Sequence, residues 1–548
     1  MKRFLSLILS IAVILTAVTA CTGKSGTSNQ AADKPAASTA SKASETSGVV
    51  YPIKGAPKLT YWLPLSGDVS RKVKSLNDTM FAKGLIERTG IQVQFTHPAM
   101  GQEKETFNLL VASGDMPDIV EYTWLKDYPA GPDAAIKSNL VYKLNDNLSA
   151  WAPDFKKLLD SKPELAKKLK TDTGAYYGFP FIRESDYLKV WRGPIVRKDW
   201  LDSLGLKLPE TVSEWEAMLT AFKNSKGATA PLSCDASGST DGLSNLINEG
   251  LFVGAYGVMP GFYQENGKVV YGPIQPGFKD ALVLLRSWYE KGLLDKNITA
   301  NKTADLDANL GNNKTGATNG NTGGGIGRWV PVLQKTDPKA MLSATKYPTL
   351  EKGQRAKFGQ KEQDFYESYI LACVNPKSKN VEYAVKLLNW GYSEQGYMYY
   401  NYGIEGDSYT IKNGKAVMRD DIVKAADNKA EWSYYARSPY NGPNVQAENY
   451  LPQLLQMQEQ KDAIGLWSQN DRDKYILPPI SQTVDESKEF NKIVTGINTY
   501  YTEFINKFVT GQVKVEDYDN VFVPEIKKMN ISKALEYRQA ALDRYNKR

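Results

Sequence analysis

Histidine and cysteine are scarce in this chain, and their scarcity excludes several classes of site. Among 548 residues there is one histidine, His97, and there are three cysteines, Cys21, Cys234 and Cys373. Only His97 could complete a Ser–His–acid or Cys–His arrangement, and a histidine-rich zinc site is excluded. The cysteines form no C-x-x-C motif. A disulfide between Cys234 and Cys373 stays open, although two separately buried thiols are the favoured interpretation.

Phosphate-binding and hydrolase motifs are missing as well. The chain has no G-x-S-x-G elbow and no P-loop. The glycine-rich run at 323–327 lacks the Lys-Ser/Thr pair of a phosphate cradle, so we interpret it as a turn or as a loop that brings Trp329 to a cleft. Asp305, Asp307 and Asn309 have the spacing of the oxygen ligands at positions 1, 3 and 5 of a calcium-binding loop. The glycine that such a loop needs at position 6 and the bidentate glutamate at position 12 are lacking. A solvated helix or loop is the better interpretation there.

Length and charge restrict the architecture and the partners. A chain of 548 residues is too long for one compact core and should divide into at least two lobes. The 68 basic and 61 acidic residues are interspersed, which leaves no nucleic-acid footprint. Aromatic residues are plentiful, with 32 Tyr and 11 Trp. Tyrosine and tryptophan combine a flat apolar face with a polar tip, which suits a wet binding cleft as well as a core.

The N-terminus indicates export and anchoring. Residues 1–20 carry two early basic residues followed by an apolar run, the pattern of a signal peptide. The run ends in Val-Thr-Ala-Cys21, which resembles a bacterial lipobox; an ordinary secretory signal is the alternative. Residues 21–56 begin with the lipidated Cys21 and continue as a flexible tether poor in large apolar residues. A lipid on Cys21 would hold the protein on a membrane without a spanning helix.

Strand and helix patterns alternate from about residue 57 onwards. Strands are predicted at 59–63, 91–95 and 118–120, with helices at 78–89 and 104–113 between them. Such alternation predicts an α/β fold with a mainly parallel sheet, whose ligands sit at the carboxyl ends of strands. Mid-helix tryptophans with apolar spacing are predicted to be core: Trp215, Trp288 and Trp390.

A series of segments in order then resembles one family. They are SGDMPDIV at 113–120, VYKLNDNL at 141–148, GAYYGFPF at 174–181, RKDWLDSLGL at 197–206, LPETVSEWEAMLTAFK at 208–223, FKDALVLLRSWYEKGLLD at 278–295, NPKSKNVEYAVKLLNWGYSEQG at 375–396 and YGIEGDSYTIKNGK at 402–415. Together, behind a lipobox, they resemble the extracellular solute-binding lipoproteins of sugar and oligosaccharide ABC importers. The likeness covers essentially everything after residue 57.

The resemblance implies a two-lobe, periplasmic-binding-protein-like topology. Such proteins cross between lobes three times, here at 182–188, at about 363–368 and at about 401–407. Lobe one would comprise 57–181 and 369–400. Lobe two would comprise 182–368 and 401–548, with a helical C-terminal tail that buttresses the hinge.

Sugar binding requires flat aromatic faces beneath the ring and polar groups at its rim. Candidate aromatic platforms are Trp62, Tyr122, Trp124, Trp191, Trp329, Tyr369 and Tyr402. Candidate hydroxyl partners are Asp118, Arg183, Glu405 and Asp407. Each aromatic residue could equally belong to a core. Arg183 could form a hinge ion pair, and Glu405 and Asp407 could belong to a turn around Gly406.

We therefore expect a lipid-anchored, monomeric binding protein at the extracellular face of the cell membrane. It would capture a carbohydrate, most naturally an oligosaccharide, and deliver it to the permease subunits of an ABC importer. No catalysis, cofactor, metal or nucleic acid is expected. Two alternatives stay open: a binding protein for a peptide or lipidic solute, and an extracellular polysaccharide-degrading enzyme.

Overall fold

The computed structural model describes residues 48–129, 131–236, 239, 241–364, 370–437 and 442–548. The expected signal peptide, Cys21 and Tyr369 lie outside these residues. The tether predicted at 21–56, however, is too long at its C-terminal end. The Tyr51 hydroxyl donates a hydrogen bond to the Lys386 carbonyl (2.6 Å), and the Ile53 N–H donates to the Thr89 carbonyl (2.8 Å). These bonds attach the chain to the first lobe before residue 57.

Thirteen β-strands occur in the described part of the chain. They are β1 (Leu59–Trp62), β2 (Val93–Thr96), β3 (Ile119–Tyr122), β4 (Phe179–Arg183), β5 (Arg192–Arg197), β6 (Phe262–Glu265), β7 (Lys268–Tyr271), β8 (Ala317–Asn321), β9 (Leu342–Ala344), β10 (Leu371–Val374), β11 (Tyr409–Lys412), β12 (Lys415–Met418) and β13 (Asn444–Gln446). β6 pairs with β7 and β11 with β12, each as an antiparallel two-stranded ribbon.

The longer α-helices, of nine residues or more, are numbered separately. They are α1 (Met80–Thr89), α2 (Glu103–Ser113), α3 (Pro153–Ser161), α4 (Val212–Lys226), α5 (Pro276–Glu290), α6 (Thr303–Gly311), α7 (Val381–Trp390), α8 (Glu394–Tyr402), α9 (Gln458–Trp467), α10 (Val484–Val509) and α11 (Ile531–Asn546). Shorter helices are Gly67–Ser70, Trp124–Asp127, Gly131–Lys137, Leu148–Trp151, Pro163–Leu169, Lys198–Ser203, Gly242–Asn248, Arg328–Leu333, Asp420–Val423, Asn428–Tyr435, Leu451–Leu454, Arg472–Tyr475 and Val523–Lys528. No helix in the described residues has both the length and the apolar character needed to cross a bilayer.

Local sequence signals explain where the helices begin and end. The Thr79 hydroxyl accepts from the Ala82 N–H (3.1 Å) at the start of α1, and Gly90 ends that helix with a φ of 72°. At α4, Thr211 and Glu214 form the reciprocal capping box that their spacing predicts.

The first lobe is organised around a six-stranded sheet in the order β13-β4-β10-β3-β1-β2. β1 runs parallel to β2 and β3, and β13 runs parallel to β4. β10 is antiparallel to both neighbours. The first lobe's core includes Trp390, which is fully buried as predicted.

The second lobe surrounds a three-stranded sheet in the order β8-β5-β9. Trp215 and Trp288 lie fully buried in its core, as predicted, and both pack edge-to-face on Phe252. The same core takes in apolar residues of α5, α10 and α11. The predicted α/β, two-lobe architecture is confirmed.

The boundary predicted at residue 401 is wrong for β13. This strand joins the first sheet, with Asn444 opposite Phe181 and Gln446 opposite Arg183. The preceding segment is also tied to the first lobe, since Arg71 forms an ion pair with Asp427 (2.5 Å). β13 is assigned to the first lobe because it pairs with β4. The paired residues are more than 250 positions apart in the chain.

The open question about the cysteines is answered by their positions. Cys234 and Cys373 are free thiols, each buried in the core of a different lobe. Burial raises the pKa of Cys234 to about 12 and that of Cys373 well above its ordinary value. Both thiols therefore stay protonated at neutral pH and are poor nucleophiles.

A buried ion pair ties β3 to the chain that follows Asn428–Tyr435. Arg437 Nη2 lies 2.6 and 2.7 Å from the two carboxylate oxygens of Glu121, which also accepts a hydrogen bond from Tyr61. Burial alone would lower the pKa of Arg437, but the Glu121 charge holds it above its ordinary value. The Arg437 N–H also donates to the Tyr400 carbonyl (3.0 Å).

We expect Glu121→Leu to lower the free energy of unfolding by about 3–5 kcal/mol, because it leaves Arg437 charged and unpaired in the interior. The double variant Glu121→Leu/Arg437→Met should recover much of that loss. Urea unfolding followed by tryptophan fluorescence measures both. If the double variant loses as much unfolding free energy as the two single variants together, the result would contradict the pairing.

Candidate functional site

The carboxyl ends of β1, β2 and β3 meet at the edge of the first sheet that the sequence analysis assigned to ligand binding. The sequence placed three aromatic candidates there, and the structure brings them together in the interior. Trp62 meets Tyr122 edge-to-face with ring centroids 5.6 Å apart, and Phe107 packs on Tyr122 (4.7 Å) and on Trp124 (5.0 Å). Burial raises the pKa of Tyr122 to about 12. The cluster forms because α2 lays Phe107 over the strand ends.

Asp118 lies at the opposite end of β3 and serves to fasten the sheet. Its carboxylate accepts from the Thr60 N–H (2.7 Å) and hydroxyl (2.8 Å), and from the Ser378 hydroxyl. These bonds join the start of β3 to β1 and to the turn after β10. Asp118 therefore lies away from the strand ends where the ligand was expected.

Two other candidates meet at the first crossing between the lobes. Arg183 forms a buried ion pair with Glu362, and its guanidinium lies 4.8 Å from the Trp191 ring centroid. The Trp191 N–H donates to Gln360 Oε1 (2.9 Å). These contacts join the chain leaving β4 to the segment at 360–362, so the hinge interpretation describes Arg183 in this structure.

Trp329 belongs to the second-lobe core. Its Nε1–H donates to Asp307 Oδ1 (2.8 Å), and a Cβ on Gly320 would lie only 2.8 Å from its ring. The glycine-rich run forms a π-helix, Thr322–Gly327, that leads into the Trp329 helix. This close packing accounts for the small residues around the ring.

The weak calcium-loop spacing falls on helix α6 rather than on a loop. Asp305 caps the helix by accepting from the Lys302 N–H (2.9 Å), and Asn309 donates to Asp295 (3.2 Å). Within the described residues, no group of three or more His, Cys, Asp or Glu side chains could hold a metal ion.

Tyr402, Glu405 and Asp407 follow one another in a small cluster beside the first lobe. Tyr402 is buried and its ring lies 5.7 Å from that of Tyr409. Glu405 and Asp407 are exposed on a turn. Gly406, with a φ of 88°, donates its N–H to the Tyr409 carbonyl (2.8 Å) to close that turn. The turn interpretation fits the two carboxylates.

Ion pairs surround the joint between the lobes. Asp364 accepts from Lys189 (2.6 Å) at the first crossing and from Lys168 (3.2 Å) in the first lobe. Burial would raise the pKa of Asp364, but these two lysines hold it below its ordinary value. The second crossing continues into residues 365–368, outside the described part of the chain.

A second set of ties connects the C-terminal helix to the first lobe. Asp172 follows the first-lobe helix Pro163–Leu169 and accepts from Arg544 (3.0 Å) and from Arg548 (2.6 Å). Arg544 also pairs with Glu486 (2.6 Å) at the start of α10. The C-terminal tail thus contacts both lobes, while its role as a buttress of the hinge stays a prediction.

A cavity of about 490 Å³ lies between the lobes. One wall is formed by first-lobe residues that follow β3, namely Leu125, Lys126, Tyr128 and Gly131. The other wall combines Phe262 of β6, the proline-containing segment 476–482 and side chains of α10 and α11. Its volume falls within the range of about 300–1,000 Å³ that small-molecule sites occupy.

The sequence analysis missed this second wall. Segment 476–482 is irregular and has no aromatic residue, and Phe262 lies on a short hairpin far from the predicted crossings. The pair of prolines at 478–479 was the available signal, since it predicts an extended segment between helices.

His97 lines another cavity, of about 610 Å³, at the ends of β1 and β2. Its Nδ1 lies 2.9 Å from the Leu63 carbonyl, and its Nε2 accepts from the Leu76 N–H (3.1 Å). Burial is the main cause that lowers the pKa of His97. Because both ring nitrogens are engaged with the backbone, His97 is not placed to activate a nucleophile.

Comparison with known proteins identifies the family. The family model described as bacterial extracellular solute-binding protein matches residues 76–398, more than half of the chain. The chain belongs to this family. The match runs from the first sheet through the second-lobe sheet and back into α8, so it covers both lobes.

Individual relatives agree with this assignment. FusA, a fructooligosaccharide ABC transporter substrate-binding protein of Streptococcus pneumoniae, is 26% identical over 304 residues, 52% of this chain and 52% of FusA. Lipoprotein LipO of Bacillus subtilis is 25% identical over 232 residues, 40% of this chain and 42% of LipO. The chain therefore spans about half the length of these curated relatives or less.

A solved structure extends the similarity to the whole fold. The crystal structure of the alginate-binding protein AlgQ2 without calcium ion superposes with a TM-score of 0.69 at 25% identity. The superposition covers 89% of this chain and 98% of AlgQ2. The solute-binding fold thus includes the C-terminal elements that lie beyond the family-model match.

We expect Asp172→Asn to lower the free energy of unfolding by about 1.5–3 kcal/mol, because hydrogen bonds to charged groups contribute on that scale. Amide exchange should also become faster in the last turn of α11. Thermal unfolding and hydrogen exchange measure the two effects. Asp202→Asn, which removes an exposed pair with Lys198, is the matched control and should change stability by less than about 1 kcal/mol. Equal effects in the two variants would contradict a tie at Asp172.

Proposed function

We propose that this protein is a lipid-anchored receptor that captures an oligosaccharide between its lobes and delivers it to an ABC importer. The match of the solute-binding family model across both lobes is the observation that carries the proposal. FusA and AlgQ2 are both named for carbohydrate ligands. The interlobe cavity offers aromatic faces and polar groups together, the combination that sugars require.

Closure of the lobes would convert binding into a signal. A ligand that contacts both lobes biases an equilibrium between open and closed forms, and the permease would recognise the closed form. The joint is suited to such motion because its tie at Asp364, to Lys189 and Lys168, consists of partly solvated ion pairs. Pairs of this kind contribute little individually and can break and re-form.

The side chains support a function of binding without catalysis. The backbone engages both nitrogens of His97, and the two described cysteines are buried thiols with raised pKa values. The expected signal at 1–20 and the lipobox ending at Cys21 support placement at the outer face of the membrane, as a monomer on a tether. The name of the relative LipO, a lipoprotein, agrees with that anchor.

Ligand binding is tested by a thermal-shift panel of neutral and acidic oligosaccharides, monosaccharides and peptides. A true ligand at 100 times its Kd should add about 2.7 kcal/mol to the free energy of unfolding. Mass spectrometry after incubation should recover the oligosaccharide intact. Stabilisation by peptides alone would favour a peptide receptor, and shortened products would favour the degrading enzyme.

Anchoring is tested by Cys21→Ala, which should move the protein from the membrane fraction to the soluble secreted fraction, because the thiol that carries the lipid is removed. Thr22→Ala, in the neighbouring position of the tether, is the control and should stay with the membrane. Cell fractionation and immunoblotting measure the distribution. Unchanged membrane retention of the Cys21 variant would contradict lipidation at this residue.

A further inference from the structure

We propose that His97 is a pH-sensitive switch, whose neutral ring holds the edge segment, residues 71–78, against the first sheet and whose protonated ring releases it. The inference does not depend on the proposed function. His97 is the only histidine of the chain, and histidine is the side chain whose ordinary pKa lies between pH 5 and 8. Its ring joins Leu63, directly after β1, to Leu76 in the edge segment.

The backbone partners of the ring define its protonation state. The Leu63 carbonyl, 2.9 Å from Nδ1, can only accept a hydrogen bond, so Nδ1 carries a proton. The Leu76 N–H, 3.1 Å from Nε2, can only donate, so Nε2 carries none. The ring is therefore the neutral Nδ1–H tautomer. A second proton, on Nε2, would point at the Leu76 N–H and break that hydrogen bond.

The side chain nearest to Nε2 is not placed to accept from it. Ser75 Oγ lies 3.4 Å from Nε2, but it already accepts from the Asn77 N–H (3.2 Å) and from Asn77 Nδ2 (2.8 Å). A hydroxyl oxygen has two lone pairs, so the Ser75 hydroxyl can donate to the neutral ring but has no further lone pair for a protonated one. Among the described residues, no carboxylate hydrogen-bonds to His97.

Charged side chains surround His97 on three elements. Lys74 of the edge segment and Glu103 of α2 line the same cavity as the ring. Arg437, which pairs with Glu121, also acts on it. Burial is the main cause that lowers the pKa of His97, the Arg437 charge lowers it further, and the hydrogen bond from Nδ1 opposes both. The folded protein therefore keeps the ring neutral at neutral pH.

The edge segment covers the outer side of β2, which is the last strand of the first sheet. Asn77 Oδ1 accepts from the Phe95 N–H (2.9 Å), and Asn77 Nδ2 donates to the Phe95 carbonyl (2.8 Å). The Leu76 side chain is buried, so its N–H cannot exchange His97 for water unless the segment moves. Release would uncover β2 and rearrange the wall that residues 73–75 give to the 610 Å³ cavity.

Two further ties of the edge segment are partly exposed ion pairs, Arg71 with Asp427 and Lys72 with Glu431. Pairs of this kind contribute little. The sign of the pH effect follows from the lowered pKa of His97, because the released form binds the proton more tightly than the folded form does. The hold on the segment is complete above the ordinary value of about 6.5, and it is lost as the pH falls through the lower pKa of the folded form.

The test is hydrogen exchange followed by mass spectrometry on the purified protein, prepared without a histidine tag, at pH 7.5 and pH 5.0. Rates are corrected for the intrinsic pH dependence of amide exchange. We expect the corrected rate in residues 71–78 to rise about threefold or more at the lower pH, because the released form binds one proton more tightly. Helix α4, in the second lobe, should stay within about twofold and reports any general effect of acid. No rise in the edge segment, or an equal rise in α4, would overturn the inference.

Two variants assign the effect to this ring. His97→Gln keeps an amide oxygen that can accept from the Leu76 N–H but cannot titrate, so the rise at pH 5.0 should disappear. The matched control is His97→Gln/Gln92→His, which returns a histidine at an exposed position just before β2 and should not restore the rise. A rise that persists in His97→Gln, or one that returns in the control, would contradict a switch at His97.

A measurement on the unaltered protein keeps the inference testable if a variant does not fold. With ¹⁵N-labelled histidine, the single ring of His97 gives one set of two-bond ¹H–¹⁵N correlations. At pH 7.5 these should show the Nδ1–H tautomer, and they should titrate with a midpoint below about 6.5. The Nε2–H tautomer at pH 7.5, or a midpoint at or above the ordinary value, would overturn the inference.

Discussion

The two lobes are tied at their joint by ion pairs, and the lobe closure that we propose requires some of those pairs to break and re-form. Asp364 bridges lysines from the first lobe and from the first crossing, and Asp172 receives two arginines from the C-terminal helix. The pairs of Asp364 are partly solvated, so water can replace them at modest cost, whereas the Asp172 pairs are more buried and hold the C-terminal helix to the first lobe. A hinge built from apolar packing would resist opening far more strongly.

Inside the first lobe, by contrast, the charged and aromatic contacts are buried. The Glu121–Arg437 pair is buried within the first lobe, and the aromatic stack of Trp62, Tyr122 and Phe107 fills the space above the strand ends. Removing one partner from a buried pair leaves a charge without compensation. These buried contacts favour lobes that move as units, so the closure that we propose would take place where the chain crosses between them.

The interlobe cavity follows from this division. Its first wall is the segment that leaves β3, which the fold places at the carboxyl edge of the sheet. Its second wall comes from the C-terminal elements, which the ties at Asp172 draw towards the first lobe. The same ties thus place Phe490 of α10, Arg538 of α11 and segment 476–482 on one wall of this cavity.

The sequence by itself determined the α/β class, the division into lobes, the helix boundaries at Gly90 and Thr211, and the family, since these depend on periodicity, capping chemistry and local motifs. It also identified Trp215, Trp288 and Trp390 as core. Only the tertiary structure decided which aromatic candidates are buried, because Phe107 packs on Tyr122 and Trp124, and Tyr122 in turn packs on Trp62. It also placed β13 in the first sheet and placed Lys126, Arg472 and Arg538 around one cavity. Contacts between residues hundreds of positions apart leave no local sequence pattern, so the periodicity of the chain could not predict them.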